Sequence, residues 1–465
     1  SGATRLRGLR VTAPIVVMDG DGDGGLAAFE ARGAAVRGAL CDVPQAYEAA
    51  LQPEDLAVLI YTSGTTGNPK GVMLSHDNLG FHARATLAVA SDVLFPGADV
   101  LSALPYSHIF EHATLYMYLL ARTRYSICAD PTKLLDDLRD VRPVMMTAVP
   151  RIFDRVLTGV AGKAMQHGGL QAALVPWALK IGQRYAYATA MGDGASLWLR
   201  ARYALAKAIV LNKVRASLGL DRIRSILSGS AALHNDVAMT FLGMGVTIVQ
   251  GYGLTETSPV LTVNPASANR YGTVGSGIAG TELKIAEDGE ILARGRQVMQ
   301  GYYRDPEGTA AAMADGWFHT GDIGKLDAEG YLTITDRKKE VFKLSTGRFI
   351  SPARVEAALK RSIFLTQAVV VGDGRPFPIA LICPNRELIR SAAPDQSTDD
   401  FVRAETLRQT ADLGSHERIR YVVVLPNDLT VESGELSPSM KVKRRIVESR
   451  YAAPIAAAYA GAATA

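Results

Sequence analysis

Between Tyr61 and Gly71 the chain sets three glycines (Gly64, Gly67, Gly71), four hydroxyl residues (Thr62, Ser63, Thr65, Thr66) and Lys70. Glycines let backbone N–H groups turn toward an anion with no Cβ in the way. The hydroxyls add donors and the lysine a positive charge, so this stretch can cradle a polyphosphate. A Gly/Ser/Thr run also reads as a surface linker. The flanking residues bear on that choice. Leu56-Ala-Val-Leu-Ile-Tyr61 has the length and composition of a buried strand. Val72-Met-Leu74 reads as a second short strand, and Ser75 suits the N-cap of a helix from about His76 toward Ala90. The loop is therefore expected to join two strands. It differs from the GxxxxGK loop that feeds directly into a helix, because Pro69 precedes the lysine and Gly71 follows it.

A second constellation lies in Val246-Thr-Ile-Val-Gln-Gly-Tyr-Gly-Leu-Thr-Glu-Thr-Ser-Pro259, an apolar run that breaks into glycines. It delivers Tyr252, Thr255 and Glu256 within five residues, types suited to stacking on a flat ring, touching a phosphate and holding magnesium. Upstream, Ile223 to Leu233 reads as a strand ending in Gly229, Ser230 and Ala231, small enough for a ring to approach the backbone. Leu101 to His112 reads as a strand ending in a polar cluster with His108 and His112. Taken alone, a histidine there is more often a satisfied interior residue. Asp322, after Gly321, fits ordinary turn chemistry. The Asp336-Arg-Lys-Lys-Glu340 cluster fits a solvated linker, and the basic run Leu436 to Arg445 fits a solvated surface.

The string YTSGTTGNPKGVMLSH (61–76) closely resembles the signature loop of adenylate-forming enzymes, the AMP-binding superfamily of acyl-CoA synthetases, luciferases and peptide-synthetase adenylation domains. Six motifs follow the family's order from the strand before Tyr61 to Arg445. The resemblance implies an α/β fold: a large N-terminal domain with parallel α/β sheets and a β-rich subdomain at about 273–335, and a small α+β C-terminal domain. The domains expected are 1–335, a hinge at 336–340, and a mobile 341–465. Family members carry a further segment upstream of Ser1, which would complete the first sheet and the substrate-domain surface.

By the same resemblance, Thr62 to Gly67 and Lys70 bind the ATP phosphates, and Gly229, Ser230, Ala231, Gln250, Gly251, Tyr252 and Gly253 surround adenine. Thr255 meets the α-phosphate, Glu256 with Thr62 takes Mg²⁺, and Asp322 and Arg337 hold the ribose. His108 lies beside the carboxylate of the acid. Lys339 is the pivot, Lys343 stands in the loop that enters for thioester formation, and Lys441 is the adenylation lysine. Thr147-Ala-Val-Pro-Arg-Ile-Phe153 and the ITDRKKE hinge are similar to bacterial long-chain fatty acyl-CoA synthetases. The implied activity is ATP-dependent conversion of a long-chain fatty acid to acyl-AMP, then transfer to CoA. Two rivals stay open: a fatty-acyl-AMP ligase loading an acyl-carrier protein, whose usual insertion at the hinge is not seen between Asp322 and Glu356, and a non-catalytic nucleotide-binding regulator.

At 465 residues the chain exceeds one ordinary core. A net charge of +4 is too weak to argue for nucleic acid. Cys41, Cys128 and Cys383 are odd in number and in no metal-ligand spacing, which fits a reducing compartment and argues against a disulfide framework. Val11 to Asp19 reads as a strand, and Gly20 to Gly25 as a solvated turn rather than a calcium loop. From about Pro150 to Leu218 the pattern is helical, and between Lys163 and Arg215 the cations Lys163, Lys180, Arg184, Arg200, Arg202, Lys207, Lys213 and Arg215 are opposed only by Asp193. That bias fits a solvated helix face, or a face that sits on anionic lipid. No segment has the roughly 20 apolar residues of a membrane span, and the expected location is cytoplasmic, peripheral on the inner membrane face under the second reading. The Ala-rich tail after Tyr451 is expected to fray.

Overall fold

The computed structural model describes residues 26–36, 48–62, 69–167, 169–192, 194–338, 340–436 and 442–462. Two units separate, 1–55 and 56–465. The first contains the helix Leu26–Val36. The expected strand at Val11 to Asp19, the turn at Gly20 to Gly25, Cys41 and Asp193 lie outside the described residues.

The second unit is built on a seven-stranded sheet. Its spatial order is Arg124–Ile127, Asp99–Ser102, Met145–Ala148, Ser225–Ser228, Ile248–Gly253, Val260–Val263 and Ser276–Gly277. The first five strands pair in parallel and the last two antiparallel. Successive residues feed opposite faces, the period-2 rule of a strand. Leu101, Met146, Ile226 and Ile248 join one core with the helices of 150–217. Val100, Met145, Leu227 and Val249 join another with the helices His76–Val89 and Ile109–Leu120. Both faces are covered, which is why these strands read as continuous apolar runs.

Leu56–Thr62 pairs antiparallel with Lys70–Ser75, which pairs in turn with Gly301–Tyr302. The loop does join two strands. The first strand, however, is a half-buried edge strand, with Leu56 and Tyr61 exposed. A run of apolar residues does not distinguish the middle of a sheet from its rim. Ser75 caps the helix His76–Val89 through a capping box with Asn78. The Asn78 amide also donates to the carbonyls of Arg296 (2.7 Å) and Val298 (3.1 Å), tying the helix start to the strand-forming segment that follows.

The β-rich part is a five-stranded antiparallel sheet of Glu282–Ile285, Glu290–Arg294, Trp317–Leu326, Met313–Ala314 and Leu332–Arg337. Beyond it, Leu365–Val371, Ile379–Pro384 and Val422–Val424 form a separate sheet with the helices Pro352–Leu359 and Thr398–Thr410 against it. The chain is thus an α/β protein with a large N-terminal part and a smaller α+β C-terminal part. The tail departs from expectation, because Ala452–Ala462 is a docked helix. Ile455, Ala458 and Tyr459 share one face and pack on the C-terminal core, and Tyr459 donates to the Phe377 carbonyl at 3.0 Å.

Candidate functional site

The strand Ile248–Gly253 ends among the parallel strands' carboxyl ends, where α/β sheets place ligands. Gly253 can only be glycine, since a Cβ there would lie 1.6 Å from the Pro259 carbonyl oxygen. That close approach turns the chain into the short helical turn Thr255–Thr257, which carries Thr255 and Glu256. Tyr252 stays buried and donates its hydroxyl to Asp322 Oδ2 at 2.8 Å. Burial, and then the adjacent Asp322 charge, push the phenol well above its ordinary range, so it remains a donor. Asp322 and Arg337 are directly opposed in neighbouring strands, and Arg337 Nε donates to Asp322 Oδ1 at 2.8 Å. Tyr252, Asp322 and Arg337 therefore form one cluster. A carboxylate has about four acceptor sites, so Asp322 can keep both partners and still accept further donors.

A second cluster surrounds Lys70. Its ammonium lies 3.2 Å from Asp305 Oδ2 and 4.5 Å from the centre of the Tyr302 ring, while the Tyr302 hydroxyl donates to Glu256 Oε1 at 2.9 Å. Backbone bonds from Met299 N to Glu256 O (2.8 Å), Gln300 N to Met73 O (3.0 Å) and Tyr303 N to Gly71 O (2.7 Å) hold these segments together. The sequence reading missed Tyr302 and Asp305. The available signal was an aromatic pair after Gly301, whose φ of 145° marks a special backbone position. Thr62 Oγ1 donates to the Lys70 carbonyl at 3.4 Å across the hairpin. Ser63, Gly64, Thr65, Thr66 and Gly67 lie outside the described residues, as do Lys339 and Lys441.

Gly229 follows the strand Ser225–Ser228 and lies against the ring of Phe110, which a Cβ would meet at 3.2 Å. Ser230, at φ 68°, and Ala231 are exposed beyond it, and Gln250 Oε1 accepts from Leu233 N at 3.3 Å. Gly251 runs antiparallel to Val263. His108 caps the helix Ile109–Leu120 by accepting from Phe110 N at 3.3 Å. His112 contacts the Tyr106 carbonyl and the Tyr116 hydroxyl. Beneath them lies a group absent from the sequence reading: Glu111, fully buried, accepts from the hydroxyls of Ser102 and Thr147. Burial raises its carboxyl to about 7, against the lowering effect of those two hydroxyls.

Lys343 sits exposed on the small hairpin of Phe342–Lys343 and Phe349–Ile350, with Phe349 and Asp373 as its contacts. It does not join either cluster. Next to the hinge position, Lys338 reaches Asp288 (2.5 Å) and Glu290 (2.8 Å), and Glu290 also contacts His319 and accepts from Gly321 N. Burial would raise the Glu290 carboxyl, but these hydrogen bonds outweigh it and hold it below its ordinary value. Arg444, in a run expected to be a solvated surface, is in fact turned inward. It donates to Glu356 Oε1 (2.7 Å) and to the Val370 carbonyl (2.6 Å).

The donor sets fit the groups expected. Mg²⁺ favours one or two carboxylates together with substrate phosphates and water, and Glu256 offers one carboxylate whose Oε1 alone is committed to Tyr302. Among the described residues no group of three or more His, Cys, Asp or Glu side chains could hold a metal by itself. No helix among them is long and apolar enough to cross a membrane. Cys128 and Cys383 are buried free thiols.

Comparison with known proteins matches residues 6–303 to the AMP-binding enzyme family and residues 339–463 to the AMP-binding enzyme C-terminal domain. The long-chain-fatty-acid–CoA ligase FadD15 of Mycobacterium bovis is 37% identical over 426 residues, which span 88% of this chain and 70% of that protein. The chloroplastic long-chain-fatty-acid–[acyl-carrier-protein] ligase AEE15 of Arabidopsis thaliana is 30% identical over 86% of this chain and 61% of its own length. Among solved structures, the o-succinylbenzoate CoA synthetase of Bacillus subtilis in complex with ATP and magnesium shares the fold, with a TM-score of 0.60 at 22% identity, covering 85% of this chain and 70% of that one.

Proposed function

Because this chain belongs to the AMP-binding enzyme family, we propose that it activates a long-chain fatty acid with ATP, releasing pyrophosphate, and passes the acyl group from AMP to CoA. The observation that carries this reading is the pair of adjoining clusters. Tyr252, Asp322 and Arg337 are joined by hydrogen bonds and would form the nucleoside site, and Lys70, Tyr302 and Glu256, joined by a ring contact and a hydrogen bond, would form the phosphate site.

Attack of a carboxylate on the α-phosphorus brings two anions together and concentrates charge on the phosphoryl oxygens, so cations and N–H donors must face them. In this proposal Lys70 and the 61–71 backbone hold the departing pyrophosphate, Thr255 meets the α-phosphate, and Lys441 neutralises the developing charge. Mg²⁺, held by Glu256 with Thr62, would supply charge neutralisation between the phosphates. Asp322 and Arg337 fix the ribose, and His108 orients the acid. Losing one such contact costs ~3 kcal/mol, on the order of a hundredfold in rate. The 336–340 hinge would let 341–465 turn about Lys339 between the two half-reactions, withdrawing Lys441 and bringing in Lys343, which would reconcile its present exposed position with a role in thioester formation.

A small apolar cavity of about 30 Å³ under the seven-stranded sheet is lined by Met117, Met145, Leu227, Val249, Val260 and Val263, all members of one core cluster. Phe110 belongs to the same cluster and stands against Gly229. The proposed location is the cytoplasm, with a peripheral membrane contact through the basic helical region 163–215.

The test follows pyrophosphate and thioester side by side with palmitate, Mg-ATP and CoA, on this chain and on Lys441→Ala. Both products from the parent and neither from the variant are expected. Pyrophosphate without thioester would favour the carrier-protein acceptor named for AEE15. Neither product, with acids of any length, would overturn the ligase reading.

A further inference from the structure

From Arg155 to Leu220 the sequence carries nine lysines and arginines against one acid, Asp193. Within this stretch Leu197–Ala206, the wider turn Lys207–Leu211 and Asn212–Ser217 follow one another without a break. One side of this helical run is fully used. Ala206, Val210 and Leu211 are buried in the core, and Leu199 packs beside them. The Tyr203 ring stacks on Tyr185 at 3.9 Å, and its hydroxyl donates to the Gly243 carbonyl at 3.1 Å.

The opposite side should then be polar. Instead it carries Leu197, Trp198, Leu205 and Ile209, which are 83, 67, 53 and 43% exposed. A helix apolar on both sides is ordinarily buried on both, and an apolar stripe left open and rimmed by cations marks an interaction surface. Here the rim is Arg202, whose guanidinium lies 4.3 Å over the Trp198 ring, with Lys207 and Lys213, both exposed. Aromatic and aliphatic side chains flanked by long cations that can reach up to headgroups are the chemistry of an interfacial helix.

We infer that the outer face of 197–213 lies in the interface of an anionic lipid bilayer, with Leu197, Trp198, Leu205 and Ile209 below the headgroups and Arg202, Lys207 and Lys213 among them. The charge at the stripe selects the partner, since a neutral or cationic surface would not complement a rim of Arg202, Lys207 and Lys213 with no acid in the helical run 197–217. The inference rests on the membrane contact proposed above and is independent of the ligase activity.

The protein is mixed with vesicles of phosphatidylcholine alone, or with about a third phosphatidylglycerol, at low salt and at about 0.5 M salt, and binding is read by sedimentation. Binding to the anionic vesicles only, weakened by salt, is expected. Each lysine lost near such a surface weakens binding roughly fivefold, so Lys207→Glu with Lys213→Glu should weaken it at least about twentyfold. Leu197→Ser with Leu205→Ser should also lose binding. Quenching of tryptophan emission by brominated lipid should fall in Trp198→Phe, and no further loss is expected from Trp317→Phe, whose ring lies in the β-rich sheet under Lys284 and Arg294. All these side chains are exposed and outside the proposed site, so activity on a water-soluble short acid should not change. Loss of that activity in the parent with vesicle binding intact would sink the ligase reading and leave this one standing. Failure to bind anionic vesicles, binding indifferent to both pairs of substitutions, or a dimer in solution that Leu197→Ser with Leu205→Ser dissolves would overturn it.

Discussion

Glu111→Gln should change how stability depends on pH, and the structure sets both the sign and the size. The carboxyl is fully buried, and burial raises it from an ordinary 4.5 to about 7. Below pH 4.5 the group is protonated whether the chain is folded or unfolded, and it contributes no slope. Between 4.5 and 7 the unfolded chain gives up the proton while the folded one retains it, so stability falls as pH rises. Above pH 7 the loss is complete and amounts to about 3 kcal/mol. Glutamine fills the same space and can still pair with both hydroxyls, because Ser102 and Thr147 can turn to donate or accept.

The parent alone would hide this effect. His82 is buried, and neither ring nitrogen has a hydrogen-bond partner among the described residues. Burial lowers it from 6.5 to about 3. Through that window the unfolded chain binds the extra proton, so His82 makes stability rise with pH, with a slope opposite to that of Glu111. From 4.5 to 6.5 the two offset each other. The informative quantity is therefore the difference between variant and parent, from urea unfolding at a series of pH values. It should grow by about 3 kcal/mol from pH 4.5 to pH 8 in favour of Glu111→Gln. A difference that is constant across this range would refute the placement of Glu111 as a buried, proton-retaining carboxyl.

Tyr302→Phe keeps the ring over Lys70 and removes only the hydroxyl that donates to Glu256. Hydrogen bonds to a charged group contribute about 1.5–3 kcal/mol, so kcat/KM for Mg-ATP should fall by roughly ten- to a hundredfold in a pyrophosphate-release assay; an unchanged value would remove Tyr302 from the site. Glu356→Gln uncouples the inward-facing Arg444 from its carboxylate. Breaking one partner of such a pair costs roughly 3–5 kcal/mol, which thermal unfolding should report as a clear drop in Tm.

How much could be read from the sequence depended on how local each feature is. The two strands that flank the 61–71 loop, the capping by Ser75 and the turn after Gly253 are set by neighbours within a few residues, and all could be placed in advance. Asp322 with Arg337 required the register of two strands, and the chain alone offered it only through family resemblance. Tyr302 with Glu256, Lys338 with Glu290, and Thr147 with Glu111 join residues 46, 48 and 36 apart. No periodicity or spacing encodes such pairs. The edge position of Leu56–Thr62 was illegible for a related reason: burial belongs to the assembled sheet, not to the strand's own residues. The docked tail was legible in principle, since Ile455, Ala458 and Tyr459 fall at helical spacing, but its alanine content pointed the other way.

The pairs hidden from the sequence also explain why the two clusters adjoin. The seven-stranded sheet contributes Tyr252 and leads into Glu256, the hairpin sheet contributes Lys70 and Tyr302, and the five-stranded sheet contributes Asp322 and Arg337. The hydrogen bonds between the clusters' members, Tyr252 to Asp322 and Tyr302 to Glu256, run from one sheet system to another. The proposed nucleotide site is therefore also a seam of the fold, and the groups that would meet ATP already hold the sheets together. A ligand bound at such a seam stabilises the folded chain by mass action while adding contacts to both sides of it. Removing either hydroxyl should then lower thermal stability and nucleotide affinity together. A residue that served only the packing would shift the first alone, and one that served only the ligand would shift the second.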